Sequence, residues 1–242
     1  MTLSNNKILI TGGATGIGLG LTERFLKENN TVLICGRRAS ALNAVSENYP
    51  EVITRVCDLS KTEERVQLYD WICKEHADLN VLINNAGIQQ DVPITNSDFF
   101  QHAKSELEIN IEAPIHLISL FQNLKSLNTI MNVTSGLAFV PMARMPVYCA
   151  SKSFLHSFTL SLRHILKSRE IEVIEIIPPA VNTELGGQGR HDYAPSVNEF
   201  VSAIFKQLIE NKTEITYGFS EGMLNAGSEE RQKAFDRMNP TN

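Results

Sequence analysis

Short runs of aliphatic and β-branched residues alternate with longer stretches of helical spacing from one end of the chain to the other, and this alternation restricts the fold more than any other feature. Strand patterns fall at residues 7–11, 31–35, 52–58, 81–84, 129–134 and 172–177, with a short seventh at 214–217. Between them the spacing predicts helices over 19–28, 40–48, 62–75, 97–124, 147–167 and 196–210. Strands that alternate with helices of this length build βαβ units, hence an α/β fold with a doubly wound parallel sheet of about seven strands and helices on both faces. In such sheets ligands bind beyond the carboxyl ends of the strands, where the strand order reverses. No linker and no internal repeat interrupts the pattern, so residues 1–242 read as one domain, a size that supports a substantial core. Two segments stand apart. Residues 183–195 (TELGGQGRHDYAP) are polar, glycine-rich and aperiodic, as in a functional loop at a substrate site. The tail after residue 217 has a short amphipathic pattern and no motif; it can cover a site, join an oligomer or fray.

Composition excludes several classes. Lys and Arg total 22 against 27 acidic residues, and no dense basic run occurs, which argues against nucleic acid as a partner. No apolar stretch approaches the roughly 20 residues needed to span a bilayer, and the three-residue apolar run before the first glycines is too short for a signal peptide. A cytoplasmic protein is expected. Four dispersed cysteines without a CxxC pair fit reduced thiols, and six scattered histidines show no metal-ligand spacing, so no metal is expected.

Residues 11–18 read TGGATGIG, between the first strand and the first helix. Glycine there lets the backbone turn tightly and approach a ligand, and the following helix N-terminus suits a phosphate. The turn is not a P-loop, since Leu19-Gly20 stands where Lys-Ser/Thr is needed, and Leu21 breaks a strict GxGxxG. A turn without a ligand is the alternative.

This TGxxxGIG turn, the NNAG of residues 84–87, Ser135 thirteen residues ahead of the YxxxK formed by Tyr148 and Lys152, and Pro178 after the sixth strand together resemble the short-chain dehydrogenase/reductase family in order and separation, over nearly the whole chain. The resemblance implies a Rossmann-type domain that binds a nicotinamide dinucleotide and transfers hydride at a carbonyl or alcohol carbon. It assigns Gly12, Ala14, Thr15, Gly16, Ile17 and Gly18 to the cofactor, with Asn85, Ala86 and Gly87 supporting the sheet and lining the adenosine ribose. NAD-preferring members carry an acidic residue at the end of the second strand. Here Cys35-Gly36 is followed by Arg37-Arg38, and no carboxylate appears before Glu47. Arginine forms forked bonds to phosphate, so Arg37, assisted by Arg38, is the candidate for a 2′-phosphate, and NADP(H) is expected over NAD(H); solvated loop charges are the alternative. Asp58 and Leu59 match the family's adenine contact, although Asp58 can equally cap the next helix.

Tyr148 and Lys152 are one helical turn apart and share a face. A phenol titrates near 10, and a neighbouring ammonium is expected to lower it toward useful proton exchange. Tyr148 would give its proton to a carbonyl oxygen or take one from an alcohol. Ser135, rather than the adjacent Thr134, is expected to donate to the substrate oxygen, because strand alternation turns the two side chains apart. Asn110 matches the family asparagine that holds water in a relay to the lysine. Pro178, Val181 and Thr183 match the segment that holds the nicotinamide carboxamide, although Pro179 replaces the usual glycine, stiffens the turn and removes an N–H. Cys149 reads as a packed thiol. Leu137, Phe139, Met142, Met145, Leu185 and Tyr193 are expected to line the substrate side and to favour a carbonyl with apolar substituents.

The leading expectation is therefore an NADPH-dependent carbonyl reductase or alcohol dehydrogenase. The alternatives are a non-catalytic NADP(H)-binding redox regulator and, against the spacing of the glycine motif, an epimerase or dehydratase. Family members pair through the helices at 97–124 and 147–167, which implies a homodimer or homotetramer.

Overall fold

The computed structural model describes residues 2–240. Its strands are β1 (Lys7–Thr11), β2 (Thr31–Gly36), β3 (Ile53–Val56), β4 (Val81–Asn84), β5 (Thr129–Val133), β6 (Glu172–Ile177) and β7 (Glu214–Thr216). Its helices are α1 (Gly16–Lys27), α2 (Ala39–Asn48), α3 (Thr62–Glu75), α4 (Phe99–Leu107), α5 (Ala113–Phe121), α6 (Pro146–Leu166), α7 (Val197–Ile209), α8 (Phe219–Asn225) and α9 (Ser228–Met238). The strands form one parallel sheet in the order β3-β2-β1-β4-β5-β6-β7. The order reverses between β1 and β4, so the crevice for a ligand opens where these two strands end.

Alternation along each strand sorts the core into two layers. Ile8, Ile10, Val32, Ile34, Val81 and Ile83 pack beneath α1, α2 and α7, where Phe25 and Phe205 meet at a ring separation of 4.8 Å. Leu9, Leu33, Leu82, Ile130 and Val173 pack beneath α3, α5 and α6. Both faces of the sheet are covered, which is why its strands read as continuous apolar runs. Among the described residues no helix is long and apolar enough to cross a membrane.

The structure departs from the sequence expectations in two helices, and it decides the place of the tail, which the sequence left open. α1 starts at Gly16, because the glycine turn itself supplies the first helical turn. The helix expected over 97–124 is broken into α4, a π-helical turn at Glu108–Glu112, and α5. Pro114 has no N–H to offer the Asn110 carbonyl four residues back, so the regular ladder cannot continue and the helix widens there. The tail is ordered as α8 and α9, whose Met223 and Ala234 pack on Val140 with Phe235 and Met238 at the edge.

Candidate active site

The glycine turn closes the first wall of the site. Gly16 takes a left-handed φ of +54°, and a Cβ on Gly18 would lie 2.2 Å from the Gly12 carbonyl oxygen, so only glycine lets α1 start this close to β1. Thr15 occupies the cap of α1 without a side-chain capping bond, and the first turn carries no acidic residue. The amides and the positive helix end are thereby left to face the cleft. The NNAG segment is tied to this turn: the Thr11 hydroxyl accepts from the amides of Asn85 and Ala86 at 3.0 Å each, and Asn85 Nδ2 donates to the Thr11 carbonyl at 2.9 Å. Its bonds thus hold the cradle in place. Beneath it, Asn84 Nδ2 donates to Asn132 Oδ1 at 2.9 Å, inside the core.

Exposed Arg37 and Arg38 follow β2 and line the same cleft; an Arg38 Nη lies 3.5 Å from the Thr15 hydroxyl. Asp58 and buried Leu59 face them from the end of β3. The capping role considered for Asp58 is not what the structure shows, because Lys61 holds the cap position of α3. Asp58 instead accepts from the amide and hydroxyl of Ser60, at 3.1 and 2.8 Å. Burial works against its charge, but the Ser60 bonds and the charges of Arg37 and Lys61 outweigh it and hold the carboxyl below its ordinary value.

Deeper in the cleft, Ser135 lies two residues past the end of β5 and caps a single 3₁₀ turn, its Oγ accepting from the Leu137 amide at 3.1 Å. Thr134 turns the other way and donates to Glu175 at 2.7 Å. Tyr148 and Lys152 emerge from the first two turns of α6 and are 5% and 4% exposed. Lys152 Nζ donates to the Val133 carbonyl at 2.9 Å and lies 5.8 Å from the centroid of the Tyr148 ring. Burial alone draws this ammonium down to about 8. The tyrosine departs from expectation. Burial pushes its phenol above the ordinary value, and the bond with Ser135 offsets this only in part. The Lys152 ammonium is directed at the Val133 carbonyl rather than at the phenol, and it does not reverse the effect of burial.

Asn110 lies in the π-helical turn. Its Oδ1 accepts from the Ile88 amide at 2.9 Å, and its Nδ2 donates to the Ile88 carbonyl at 2.9 Å and to Ser151 at 3.1 Å. Gly87 lies beside both side chains: a Cβ there would sit in ordinary contact with Asn110 Oδ1 at 3.4 Å and with Lys152 Nζ at 3.5 Å. Pro178 accepts from the Gly136 amide at 2.9 Å, and Val181 and Thr183 also line the cleft.

The whole cleft has a volume of about 1340 Å³. Leu137, Met142, Met145 and Leu185 pack around Tyr148 and Cys149, and exposed Tyr193 stands at the mouth. Cys149 is a packed thiol whose sulfur accepts from the Met142 amide at 3.3 Å. Phe139 does not reach the cleft. It turns into the cluster under α8 and α9, with its ring edge-on to His156 at 4.7 Å and Arg231 over its face. The sequence reading missed Ile88 and Gln89, and it did not single out Phe219, Arg237 and Met238 within a tail it left free to cover a site; all of them line the cleft. None carries a local signal, because only tertiary packing brings the tail to the site.

The family model for short chain dehydrogenase matches residues 6–194. The chain belongs to this family. Among the family's curated proteins, an uncharacterized oxidoreductase, DltE of Bacillus subtilis, is 41% identical over 249 residues, spanning 99% of this chain and 98% of that protein. A solved short chain dehydrogenase from Burkholderia cenocepacia, in complex with NADP, is 26% identical and superposes over all of both chains with a TM-score of 0.86. A short chain dehydrogenase/reductase from Burkholderia phymatum, in complex with NAD, has the same fold at 18% identity and a TM-score of 0.82, covering 100% of this chain and 98% of that one. The sheet order and the two-faced helical cover are those of a Rossmann-type short-chain dehydrogenase domain.

Proposed function

We propose that this oxidoreductase reduces the carbonyl of a small apolar substrate, or oxidises the matching alcohol, and prefers NADP(H) to NAD(H). The observation that carries the reading is the convergence of Ser135, Tyr148 and Lys152 on one cleft that begins at the uncapped, acid-free N-terminus of α1. Glycine-only approach at Gly18, open amides on the first turn and paired arginines after β2 together suit a phosphate-bearing dinucleotide. Gly12, Ala14, Thr15, Gly16, Ile17 and Gly18 would hold its phosphates. Arg37 and Arg38 would hold a 2′-phosphate, Asp58 and Leu59 the adenine, and Pro178, Val181 and Thr183 the nicotinamide end. When bound, the dinucleotide supplies the hydride that joins the carbonyl carbon.

The protein's own groups handle the charge on oxygen. Burial keeps Tyr148 protonated at neutral pH, as a proton donor must be. Its Oη gives that proton to the carbonyl oxygen as the C–O π bond breaks, and takes one back in the alcohol direction. Ser135 donates to the same oxygen while negative charge builds there. Lys152, still largely protonated at pH 7, stabilises the phenolate left behind. Asn110 fixes the Ile88 backbone beside the lysine. The 183–195 loop, with Leu185 and Tyr193, forms the substrate side. Exposed Phe100 on α4 and Phe154 on α6 provide apolar helix faces for a homodimer or homotetramer.

A thermal-shift comparison of NADPH, NADH and buffer tests the cofactor, since a ligand that binds only the folded state raises Tm. Turnover across aldehydes, ketones and quinones tests the chemistry. Stabilisation by NADPH with no turnover on any of them would return the protein to the regulator reading.

A further inference from the structure

Residues 88–90 leave the end of β4 in no helix or strand, yet Ile88 and Gln89 form part of the cleft wall together with Tyr148. Backbone outside regular structure is placed by whatever satisfies its polar groups. Here the partners come from α4 and the π-helical turn. Asn110 takes both the amide and the carbonyl of Ile88, and Glu106 Oε1 accepts from the Gln90 amide at 2.7 Å. The Gln90 side chain returns to the same helix, donating to the His102 carbonyl at 3.1 Å and to Ser105 Oγ at 2.8 Å, while its Oε1 bonds the His102 ring. His102, Glu106 and Asn110 recur every fourth residue and so share one helix face. Against the far side of this wall, a Cβ on Gly186 would lie 3.0 Å from Gln89 Nε2, so the wall also touches the 183–195 loop.

Glu106 is an expensive choice for this position. It is 3% exposed, and the titratable groups that face it are His102 on its own helix and Tyr148 and Cys149 on α6. Burial holds its carboxyl up at about 7, against the pull of the Gln90 amide and His102. An apolar side chain would avoid that desolvation. What the carboxyl supplies is an acceptor for an amide that would otherwise be left unpaired.

We propose that Glu106 is a positioning residue that clamps the Gln90 amide and so sets the substrate wall formed by Ile88 and Gln89. This inference rests on the reductase reading for its kinetic part only. The space between Glu106 and the start of α6 is only about 10 Å³, so a test variant must keep the bulk of the side chain. Glu106→Leu keeps bulk without an acceptor, Glu106→Asp keeps the acid but withdraws it by one methylene, and Glu106→Gln keeps an oxygen in place without charge. In hydrogen exchange with NADPH present, the Gln90 amide is expected to exchange at least tenfold faster in the Leu and Asp variants. It should stay within threefold of wild type in the Gln variant. With 4-nitrobenzaldehyde as probe, KM should rise at least tenfold in Leu and Asp while kcat changes less than threefold, and Gln should restore KM. A folded Leu or Asp variant whose Gln90 amide exchanges at the wild-type rate would overturn the inference, as would a Gln variant as impaired as Leu. The exchange measurement needs no turnover, so it separates failure of the clamp from failure of the reductase reading.

Discussion

The hydroxyl of Thr134 donates to the fully buried carboxylate of Glu175 at 2.7 Å, and the His156 ring closes on the same carboxylate at 2.9 Å. This three-residue knot ties the end of β5 to β6 and to the third turn of α6. It takes up the hydroxyl next to Ser135, so that of these two neighbours Thr134 is bound to Glu175 while Ser135 caps the 3₁₀ turn beside Tyr148. It also anchors the helix that carries Tyr148 and Lys152.

Glu175→Ala should therefore cost stability well beyond a surface change. Removing one member of a buried hydrogen-bonded network leaves its partners unsatisfied and costs about 3 kcal/mol, or roughly 10 °C in Tm for a domain of this size. Thermal melts at neutral pH check this, and a loss below about 1 kcal/mol would mean that the knot is dispensable.

Tyr148→Phe removes the hydroxyl proposed as proton donor and little else, because its ring keeps its packing against Met145 and Cys149. The expected result is a fall in kcat of about 10² to 10⁴, with the NADPH dissociation constant within threefold of wild type. Stopped-flow reduction of an active aldehyde, set beside a fluorescence titration of NADPH, separates the two. Undiminished turnover would remove Tyr148 from the mechanism.

Arg37→Ala tests cofactor choice. A charge-assisted bond to phosphate contributes about 1.5–3 kcal/mol, so NADPH affinity should fall roughly ten- to a hundredfold. NADH, which has no 2′-phosphate, should bind as before. Equal losses for both cofactors would show that Arg37 serves the loop and not the phosphate.

Glu106 also makes a pH prediction. Its folded value of about 7 lies above that of a carboxyl in the unfolded chain, so its contribution to stability is full at low pH. As pH rises past the unfolded value the unfolded chain ionises first and the contribution drains away, until it is lost above the folded value. Glutamine does not titrate. The Tm of Glu106→Gln relative to wild type should therefore climb from pH 5 to pH 8; a difference constant across that range would show that Glu106 is not held above its ordinary value.

Much of this architecture was legible in the chain alone. The strands at 7–11, 81–84 and 172–177 match β1, β4 and β6 residue for residue, because strands covered on both faces carry dense aliphatic, β-branched runs even where a polar residue such as Glu175 is buried among them. The break inside 97–124 was harder to see. Its cause, the missing N–H of Pro114, is written in the sequence, but its consequence, a π-helical turn presenting Asn110, depends on how the helix packs. Phe139 shows the opposite failure: as an apolar residue it was expected on the substrate side, whereas it packs in the cluster with residues of α8 and α9.

What the sequence settled by itself was periodicity and spacing: the βαβ alternation, the glycines at a strand-to-helix turn, and a tyrosine and a lysine one helical turn apart. These are local because backbone sterics and helix pitch fix them within a few residues. What only the tertiary structure decided was the environment of those groups. It set the protonation of Tyr148 and Lys152 through burial, turned Thr134 toward Glu175, brought the tail to the cleft mouth, and lodged an acid at 106 against the Gln90 amide. Desolvation and hydrogen-bond partnership depend on residues distant in the chain, and no local pattern encodes them.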